Sequence, residues 1–371
     1  MAYHLTKAGL DKRRVLLVER APKQGHDRTW CFCEKGDGPF EAAVHRRWQQ
    51  LWLYGPDSSQ KLEIAPYTYK MIRSGDFYRL VDDWLEQQPN VTRLYGTFER
   101  LEEHGDGARV WVDGQVYQGK WVYNSLYRPE VAAGGSSTLL QHFRGWVVET
   151  EHLHFNPHSA TFMDFRVEQH GVVRFVYVLP LDERRALVEY TLFSSRLLRS
   201  HEYDSALRNY LLEVHQLDDY RVLEREEGVI PMTDAQFPLR SSPHVLHIGT
   251  AGGCAKPSTG YTFRRIQRQA QRITQQLLKT GQPIYFTATL DHYHWIDSVM
   301  LRVLATGRQN GAKFYCDLFE RNPVQRVLEF LNEESSLSQD LALMLSIDIP
   351  VFAATGVEVT ATNLKRSLAR V

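Results

Sequence analysis

The sequence has few cysteines, no excess of charge of either sign and no long apolar run. Its 371 residues include only four cysteines, too few for the disulfide framework of a secreted protein. Its 44 basic residues equal its 44 acidic residues, which argues against nucleic acid as a partner. No apolar run approaches the roughly 20 residues that cross a bilayer, and the first residues lack a signal-peptide pattern. These absences favour a protein of the reducing cytoplasm.

The signatures of common metal and hydrolytic sites are missing as well. The 15 histidines show no spacing typical of metal ligands, and Cys31-x-Cys33 does not match the usual zinc or redox pairs. The sequence contains no Ser/His/Asp, His-Glu-x-x-His or Walker pattern. We therefore expect no metal. The 43% apolar and 24% charged residues predict a globular chain of two or three lobes.

The first clear structural signal is the apolar run Val15–Val18. A continuous run of this kind is typical of a strand buried on both faces of a parallel sheet. Glu19 follows directly, and an acid at such a strand end can accept hydrogen bonds from the ribose hydroxyls of a dinucleotide. A solvated strand end explains Glu19 equally well from these residues alone.

A dinucleotide-binding unit should also contain a Gly-x-Gly-x-x-Gly turn about 20 residues before that acid. Counting back from Glu19 passes Met1, and residues 2–9 instead read as a helix. Either the dinucleotide interpretation is wrong, or the chain begins after the first strand and phosphate-binding loop. We favour the second, a truncated start.

Seven stretches, in this order, resemble the bacterial lycopene cyclase family of flavoproteins. They are residues 26–32 (HDRTWCF), 141–146 (QHFRGW), 162–166 (FMDFR), 174–180 (RFVYVLP), 186–191 (ALVEYT), 248–253 (IGTAGG) and 256–263 (KPSTGYTF). The ordered set spans nearly the whole chain and is more specific than any one motif.

The resemblance implies an α/β fold of the para-hydroxybenzoate hydroxylase type. It has a Rossmann-like FAD/NAD(P)-binding domain, an antiparallel substrate-binding sheet and a C-terminal helical region. The implied activity converts the linear ends of lycopene, or a related acyclic carotenoid, to β-ionone rings. The reaction has no net redox change but depends on reduced FAD, with NAD(P)H as an indirect source of electrons. A lipid-soluble substrate also implies a cytoplasmic protein associated peripherally with a membrane surface.

The glycine cluster after a predicted strand at residues 245–248 is the clearest candidate for the flavin. Glycines let a backbone approach a ligand closely, and the N-terminus of the following helix would favour an anionic reduced flavin. The alternative is a turn that only lets strand and helix pack. The Lys-Pro-Ser-Thr-Gly-Tyr continuation favours the flavin interpretation. Its candidate residues are Gly249, Thr250, Ala251, Gly252, Gly253, Pro257, Thr259 and Gly260.

Glu189 is the predicted catalytic acid. It lies on the apolar strand 186–191, where burial would raise its pKa and keep it protonated. Such an acid can give a proton to an alkene and take one back after ring closure. In the family an acidic pair followed by threonine usually occupies this stretch, but here Tyr190 replaces the second acid. The alternative, a strand residue facing solvent, stays open.

Aromatic side chains near the motifs are candidates for the substrate site, because π faces stabilise a carbocation in an apolar cavity. Most of these rings are expected to be ordinary core residues. The resemblance favours Trp30 and Trp146, and we add Phe175 and Tyr177.

Two arginines complete the predicted cofactor contacts. Arg28 follows the ribose strand in the Asp27-Arg28 pair and could hold phosphate, although a surface ion pair is an equal alternative. Arg73 opens the next helix, in a segment that passes near FAD in the implied fold.

We expect three regions. Residues 1–50, 66–130 and 235–280 would form the FAD-binding domain, residues 51–65 and 131–234 the substrate domain, and residues 281–371 a helical region. In that region the apolar stretch 347–359 either contacts a membrane surface or packs on the body. Two functional alternatives remain: a redox-active monooxygenase or polyprenyl reductase of the same fold, and a truncated, non-catalytic remnant.

Overall fold

The computed structural model describes residues 1–10, 12–133, 137–283 and 292–368. Its strands, in chain order, are β1 (Val15–Glu19), β2 (Thr29–Lys35), β3 (Val44–Trp48), β4 (Gln50–Tyr54), β5 (Ser59–Glu63), β6 (Tyr67–Arg73), β7 (Val91–Tyr95), β8 (Phe98–His104), β9 (Gly107–Val112), β10 (Gln115–Gly119), β11 (Val122–Asn124), β12 (Thr138–Glu149), β13 (Ser159–Asp164), β14 (Val173–Pro180), β15 (Arg185–Ser194), β16 (Arg221–Thr233), β17 (Arg240–Ser242) and β18 (Val245–His247).

The helices are α1 (Ala2–Lys7), α2 (Ser74–Glu86), α3 (Pro129–Ala133), α4 (Ser200–His215), α5 (Phe263–Thr280), α6 (His292–Ala305), α7 (Gly311–Glu320), α8 (Val324–Leu331), α9 (Leu337–Met344) and α10 (Ile349–Leu368). Short 3₁₀ turns span Glu41–Ala43 and Gly249–Gly252.

Among the described residues, parallel pairing occurs between two pairs of short strands outside the large sheet and in one pair within it. Strand β1 pairs with β7, β11 pairs with β18, and β13 pairs with β4. Helix α1 contacts both α2 and α5. The expectation that β1 is buried on both faces is wrong, since Leu16 is 40% exposed. Among the described residues β1 has only one neighbouring strand, which leaves part of its surface uncovered.

A seven-stranded sheet in the order β16-β12-β15-β14-β13-β4-β5 dominates the other half. Side chains alternate between its faces. On β15, Val188 and Leu192 point to the face covered by α4, whereas Leu187 and Phe193 point to the opposite face. That opposite face packs against the β2-β6-β3 sheet and the C-terminal helices, and it contains the largest hydrophobic core.

Strands β8, β9 and β10 form an antiparallel β-meander. Its tight turn is at Asp113 and Gly114, whose φ angles are 48° and 75°. Both angles are positive, as the turns that suit a twisted hairpin require.

The described residues of the predicted helical region form helices α6, α7, α8, α9 and α10. The 347–359 stretch belongs mostly to α10, where Phe352 and Val359 are buried against the body. Among the described residues, no helix is both long and apolar enough to cross a membrane.

Candidate active site

A polar row crosses four strands on the buried face of the seven-stranded sheet. Gly145 on β12 lies opposite Glu226 of β16 on one side and opposite Glu189 of β15 on the other. Glu189 lies opposite Tyr177 of β14. The row Glu226, Gly145, Glu189, Tyr177 therefore brings two carboxyl groups together across a glycine.

Gly145 makes this approach possible. A Cβ atom there would lie 2.9 Å from Leu187 Cδ1, 3.1 Å from Glu226 Cγ and 3.5 Å from Glu189 Cβ. A side chain at position 145 would press on Leu187 and Glu226 and would make an ordinary contact with Glu189. The missing side chain at Gly145 thus lets Leu187 and the Glu226 chain pack close to β12.

Hydroxyl groups hold both carboxyl groups. Thr191 Oγ1 donates to Glu189 Oε1 at 2.8 Å, and Thr29 Oγ1 of β2 donates to Glu226 Oε2 at 2.7 Å. Burial, and then the nearby Glu226, raise the pKa of Glu189 well above its ordinary value. Burial also raises the pKa of Glu226, although the Thr29 hydroxyl and Arg73 oppose the increase. The pair therefore holds a proton more tightly than free carboxyl groups do.

Sulfur and aromatic groups surround the pair. Burial raises the pKa of the Cys31 thiol and of the Tyr69, Tyr177 and Tyr261 hydroxyls, so these groups stay neutral. Phe175 is fully buried beside Tyr177, with their ring centroids 5.1 Å apart. The predicted residues Glu189, Phe175 and Tyr177 thus share one face of the sheet.

The predicted glycine turn leaves β18 and leads towards helix α5. Gly249, Gly253 and Gly260 have φ angles of 61°, 74° and 70°, in the region that favours glycine. At Gly252 a Cβ atom would lie 2.5 Å from the His247 carbonyl oxygen. Gln269 Oε1 on α5 accepts from the Gly249 N–H at 2.8 Å, which ties the turn to the helix.

The same turn meets the large sheet at Gly260. A Cβ atom there would collide with Gln141 Oε1 of β12. This oxygen is buried and has no hydrogen-bond partner among the described residues. Pro257 and Thr259 are buried in the turn, and the Thr259 hydroxyl accepts from the Tyr261 N–H at 3.3 Å. The close backbone approach and the helix N-terminus suit an anionic group, and the unpaired Gln141 oxygen suits a hydrogen-bond donor. FAD carries groups of both kinds.

A buried ion cluster joins the turn to helix α6. Lys256 Nζ lies 2.9 Å from Asp297 Oδ2 of α6, and their side chains are 1% and 0% exposed. Ser258 Oγ donates to the other Asp297 oxygen at 2.6 Å. Arg265 and Arg268 of α5 form ion pairs with Glu333. These two arginines therefore bind a carboxylate of the protein rather than a ligand.

Other predicted residues lie away from the carboxyl pair. Trp30 points to the opposite face of β2 from Thr29, with its ring 5.3 Å from those of Phe77 and Phe263. Trp146 points to the α4 face of the large sheet and packs in the cluster there. The structure therefore does not bring either tryptophan to the face of Glu189.

The predicted charged cofactor residues already have protein partners. Arg28 donates to Asp27 at 2.9 Å, and Arg73 pairs with Glu224. The Glu19 carboxylate lies at the end of β1, 3.8 Å from Lys23 Nζ. Of these three residues, Glu19 keeps the strand-end position that the ribose interpretation requires.

Sequence reasoning missed Glu226, Thr29 and Gln141 as site residues. Glu226 lies within the run Glu224-Arg225-Glu226-Glu227, which is typical of a solvated strand. The glycine in Gln141–Trp146 was the available signal, because a glycine inside a strand often marks a close approach.

Comparison with known proteins identifies the family of the chain. The family model described as lycopene cyclase protein matches residues 1–357. The chain is 27% identical to a lycopene beta-cyclase of Pseudescherichia vulneris over 308 residues, covering 78% of this chain and 74% of that one. It is 26% identical to a lycopene beta-cyclase of Pantoea ananas over 300 residues, covering 74% and 71%.

Solved structures show the fold. A geranylgeranyl bacteriochlorophyll reductase-like protein from Thermoplasma acidophilum superposes with a TM-score of 0.64 at 12% identity, covering 95% of each chain. The p-nitrophenol 4-monooxygenase from Pseudomonas putida DLL-E4 gives a TM-score of 0.55 at 15% identity, covering 95% of this chain and 94% of that one. The predicted fold is confirmed as the mixed α/β fold of FAD-dependent oxidoreductases and flavin monooxygenases. With the family model matched over residues 1–357, the chain belongs to the lycopene cyclase family.

Proposed function

We propose that this protein is a lycopene beta-cyclase that uses Glu189 as its acid and base. The observation that supports the proposal is a carboxyl group with a raised pKa on the apolar face of a sheet, held by Thr191 and Glu226. Few groups at neutral pH can protonate an unactivated alkene, and a desolvated carboxylic acid beside aromatic rings is one of them.

The proton balance of the proposed reaction closes on one carboxyl group. Glu189 gives its proton to the terminal double bond of the linear end, which leaves a tertiary carbocation. The electron pair of a second double bond then forms the ring carbon–carbon bond and moves the positive charge into the ring. Loss of a ring proton to the Glu189 carboxylate creates the ring double bond and restores the acid. No atom is gained or lost.

Neutral aromatic groups suit the cationic intermediate. Tyr177 and Tyr261 keep their protons because burial raises their pKa. Their π faces attract positive charge without supplying a base that would stop the reaction early. Phe175 adds an apolar ring beside them.

FAD fits the second part of the site. The backbone around Gly249–Gly253, the acceptor oxygen of Gln141 and the N-terminus of α5 would hold the flavin end, and Glu19 would hold the ribose. Bound in its reduced form, with NAD(P)H as an indirect source of electrons, the flavin would supply a negative charge that stabilises the carbocation. Arg28 and Arg73 would reach FAD only by giving up their carboxylate partners.

This proposal is tested by incubating the protein with lycopene, FAD and a reductant and by comparing the product mass and the rate of Glu189→Gln with those of wild type. We expect wild type to give a cyclic product of unchanged mass and Glu189→Gln to be slower by at least about 100-fold. Glu183→Gln, an exposed glutamate just before the same strand, is the matched control. Full activity of Glu189→Gln would overturn the assignment. A product heavier by oxygen or hydrogen would instead indicate a monooxygenase or reductase.

A further inference from the structure

Glu226 meets Glu189 from a separate strand and has its own set of contacts. Its Oε2 atom accepts from Thr29 at 2.7 Å. Its Oε1 atom is buried and accepts no hydrogen bond of ordinary geometry from the described residues. Gly145 lies between the two glutamates, and a Cβ atom there would lie 3.1 Å from Glu226 Cγ and 3.5 Å from Glu189 Cβ. The strands β12, β15 and β16 and the opposing strand β2 therefore each contribute one residue to this site.

We infer that Glu226 is a positioning residue for the proposed cyclisation: it shares one proton with Glu189 and holds that proton on Glu189. The inference rests on the proposed function and names the partner through which Glu189 is kept in its acid form. Two carboxyl groups this close cannot both ionise without strong repulsion, so the pair keeps one proton.

The surroundings decide which glutamate carries the negative charge. Thr29 and Arg73 both favour the charged form of Glu226. Glu189 receives one hydroxyl hydrogen bond, from Thr191, and has the carboxyl group of Glu226 beside it. The negative charge therefore belongs on Glu226 and the proton on Glu189.

Other charged or titratable groups face the pair from each neighbouring element. They are Cys31 of β2, Arg73 of β6, Tyr177 of β14 and Glu224 of β16, with His26 and Arg225 lining the cleft that opens at Glu226. Cys31 and Tyr177 keep their protons, because burial raises the pKa of each.

The test follows the infrared carbonyl band of a protonated carboxyl group in the purified protein as the pH rises. Wild type should show such a band at neutral pH, and Glu189→Gln should lack it. In Glu226→Gln the band should disappear at a pH lower by about one unit or more, because the repelling charge is gone. Glu226→Asp keeps the charge at a shorter reach, so its midpoint should lie between those of wild type and Glu226→Gln.

Matched controls separate the pair from its neighbours. Glu227→Gln removes a glutamate from the same strand that is 70% exposed and paired with Arg144, and it should leave the midpoint unchanged. His26→Gln should do the same. A midpoint that stays at the wild-type pH in both Glu226 variants would overturn the inference.

The cyclisation rate gives the second readout. The pH above which the rate falls should be lower in Glu226→Gln than in wild type, by the same number of pH units as the midpoint of the band. If Glu226 had a purely structural role, its loss would lower the rate equally at every pH. If wild type makes no cyclic product but the band behaves as expected, the proposed function fails and the proton-sharing pair stands. If wild type cyclises but neither the band midpoint nor the high-pH limit of the rate moves in Glu226→Gln, the proton-sharing inference fails and the proposed function stands.

Discussion

At the scale of single residues, Glu189 works against the stability of the fold. Its pKa is raised in the folded protein above the ordinary value of 4.5. Between these two values the folded state binds more protons than the unfolded state. By linkage, the free energy of unfolding falls as the pH rises through that range.

Glu189→Gln should therefore be more stable than wild type at alkaline pH. Glutamine has no proton to lose, so we expect a free energy of unfolding higher by about 1–3 kcal/mol near pH 8. The advantage should shrink as the pH falls and vanish near about pH 4, where the wild-type carboxyl group is protonated in both states. Urea unfolding at several pH values measures this. A constant difference at all pH values would mean that the gain has another cause.

Single residues also show what the sequence can reveal about the site. Glu189 could be selected because an acid within an apolar strand is a local signal. Glu226 could not, since only the pairing of both strands with Gly145 brings it to Glu189. The side-chain direction of Trp30 and Trp146 depends on strand parity, and a shift of one residue reverses it. The motif resemblance alone carried no information about parity.

At the scale of elements, the glycine turn at residues 249–260 depends on helix α6. Lys256 and Asp297 form an ion pair that is almost fully buried, and Ser258 completes it. Replacing one partner of such a pair by an uncharged residue leaves an uncompensated charge in the protein interior. The C-terminal helices thus fix the turn that we propose holds the flavin.

Lys256→Met should destabilise the protein by about 3–5 kcal/mol, because Asp297 would be left buried without its cation. Lys313→Met is the matched control. Lys313 is 66% exposed in its pair with Asp317, and its loss should cost less than about 1 kcal/mol. Thermal unfolding of both variants measures the contrast. Equal changes in melting temperature would show that the buried pair does not anchor the turn.

Local sequence signals predicted where elements form, but they did not predict the contacts between elements. Apolar runs marked the strands β1, β15 and β18. The Lys256–Asp297 pair joins residues 41 positions apart. No local pattern encodes such a contact, because it depends on how the helices pack.

At the scale of the whole molecule, the fold class and the family are confirmed, while the boundaries of the three predicted regions remain predictions. One exposed apolar surface bears on how an apolar substrate reaches the protein. On α9 and its C-cap, Leu337, Leu341 and Leu345 are 68%, 57% and 58% exposed. Their spacing of four residues places them on one side of the helix, and we propose that this side contacts the membrane surface.

Replacing Leu341 and Leu345 together by glutamate should weaken binding to phospholipid vesicles at least about tenfold, since charge at the interface opposes insertion. Leu212→Glu, at a 53% exposed position on α4, should bind as wild type does. Vesicle cosedimentation gives the affinities, and circular dichroism checks the fold. Unchanged binding of the double variant would exclude this helix as the contact surface.

The most direct test of the central claim is the mass of the product formed from lycopene in deuterium oxide with reduced FAD. Acid-initiated ring closure places one solvent-derived deuteron from Glu189 on carbon for each ring, while a ring proton is lost. We expect a mass increase of a single deuterium-for-hydrogen exchange per ring, and the loss of product in Glu189→Gln. A cyclic product without deuterium, or one that gains oxygen or hydrogens, would contradict proton-initiated cyclisation by Glu189.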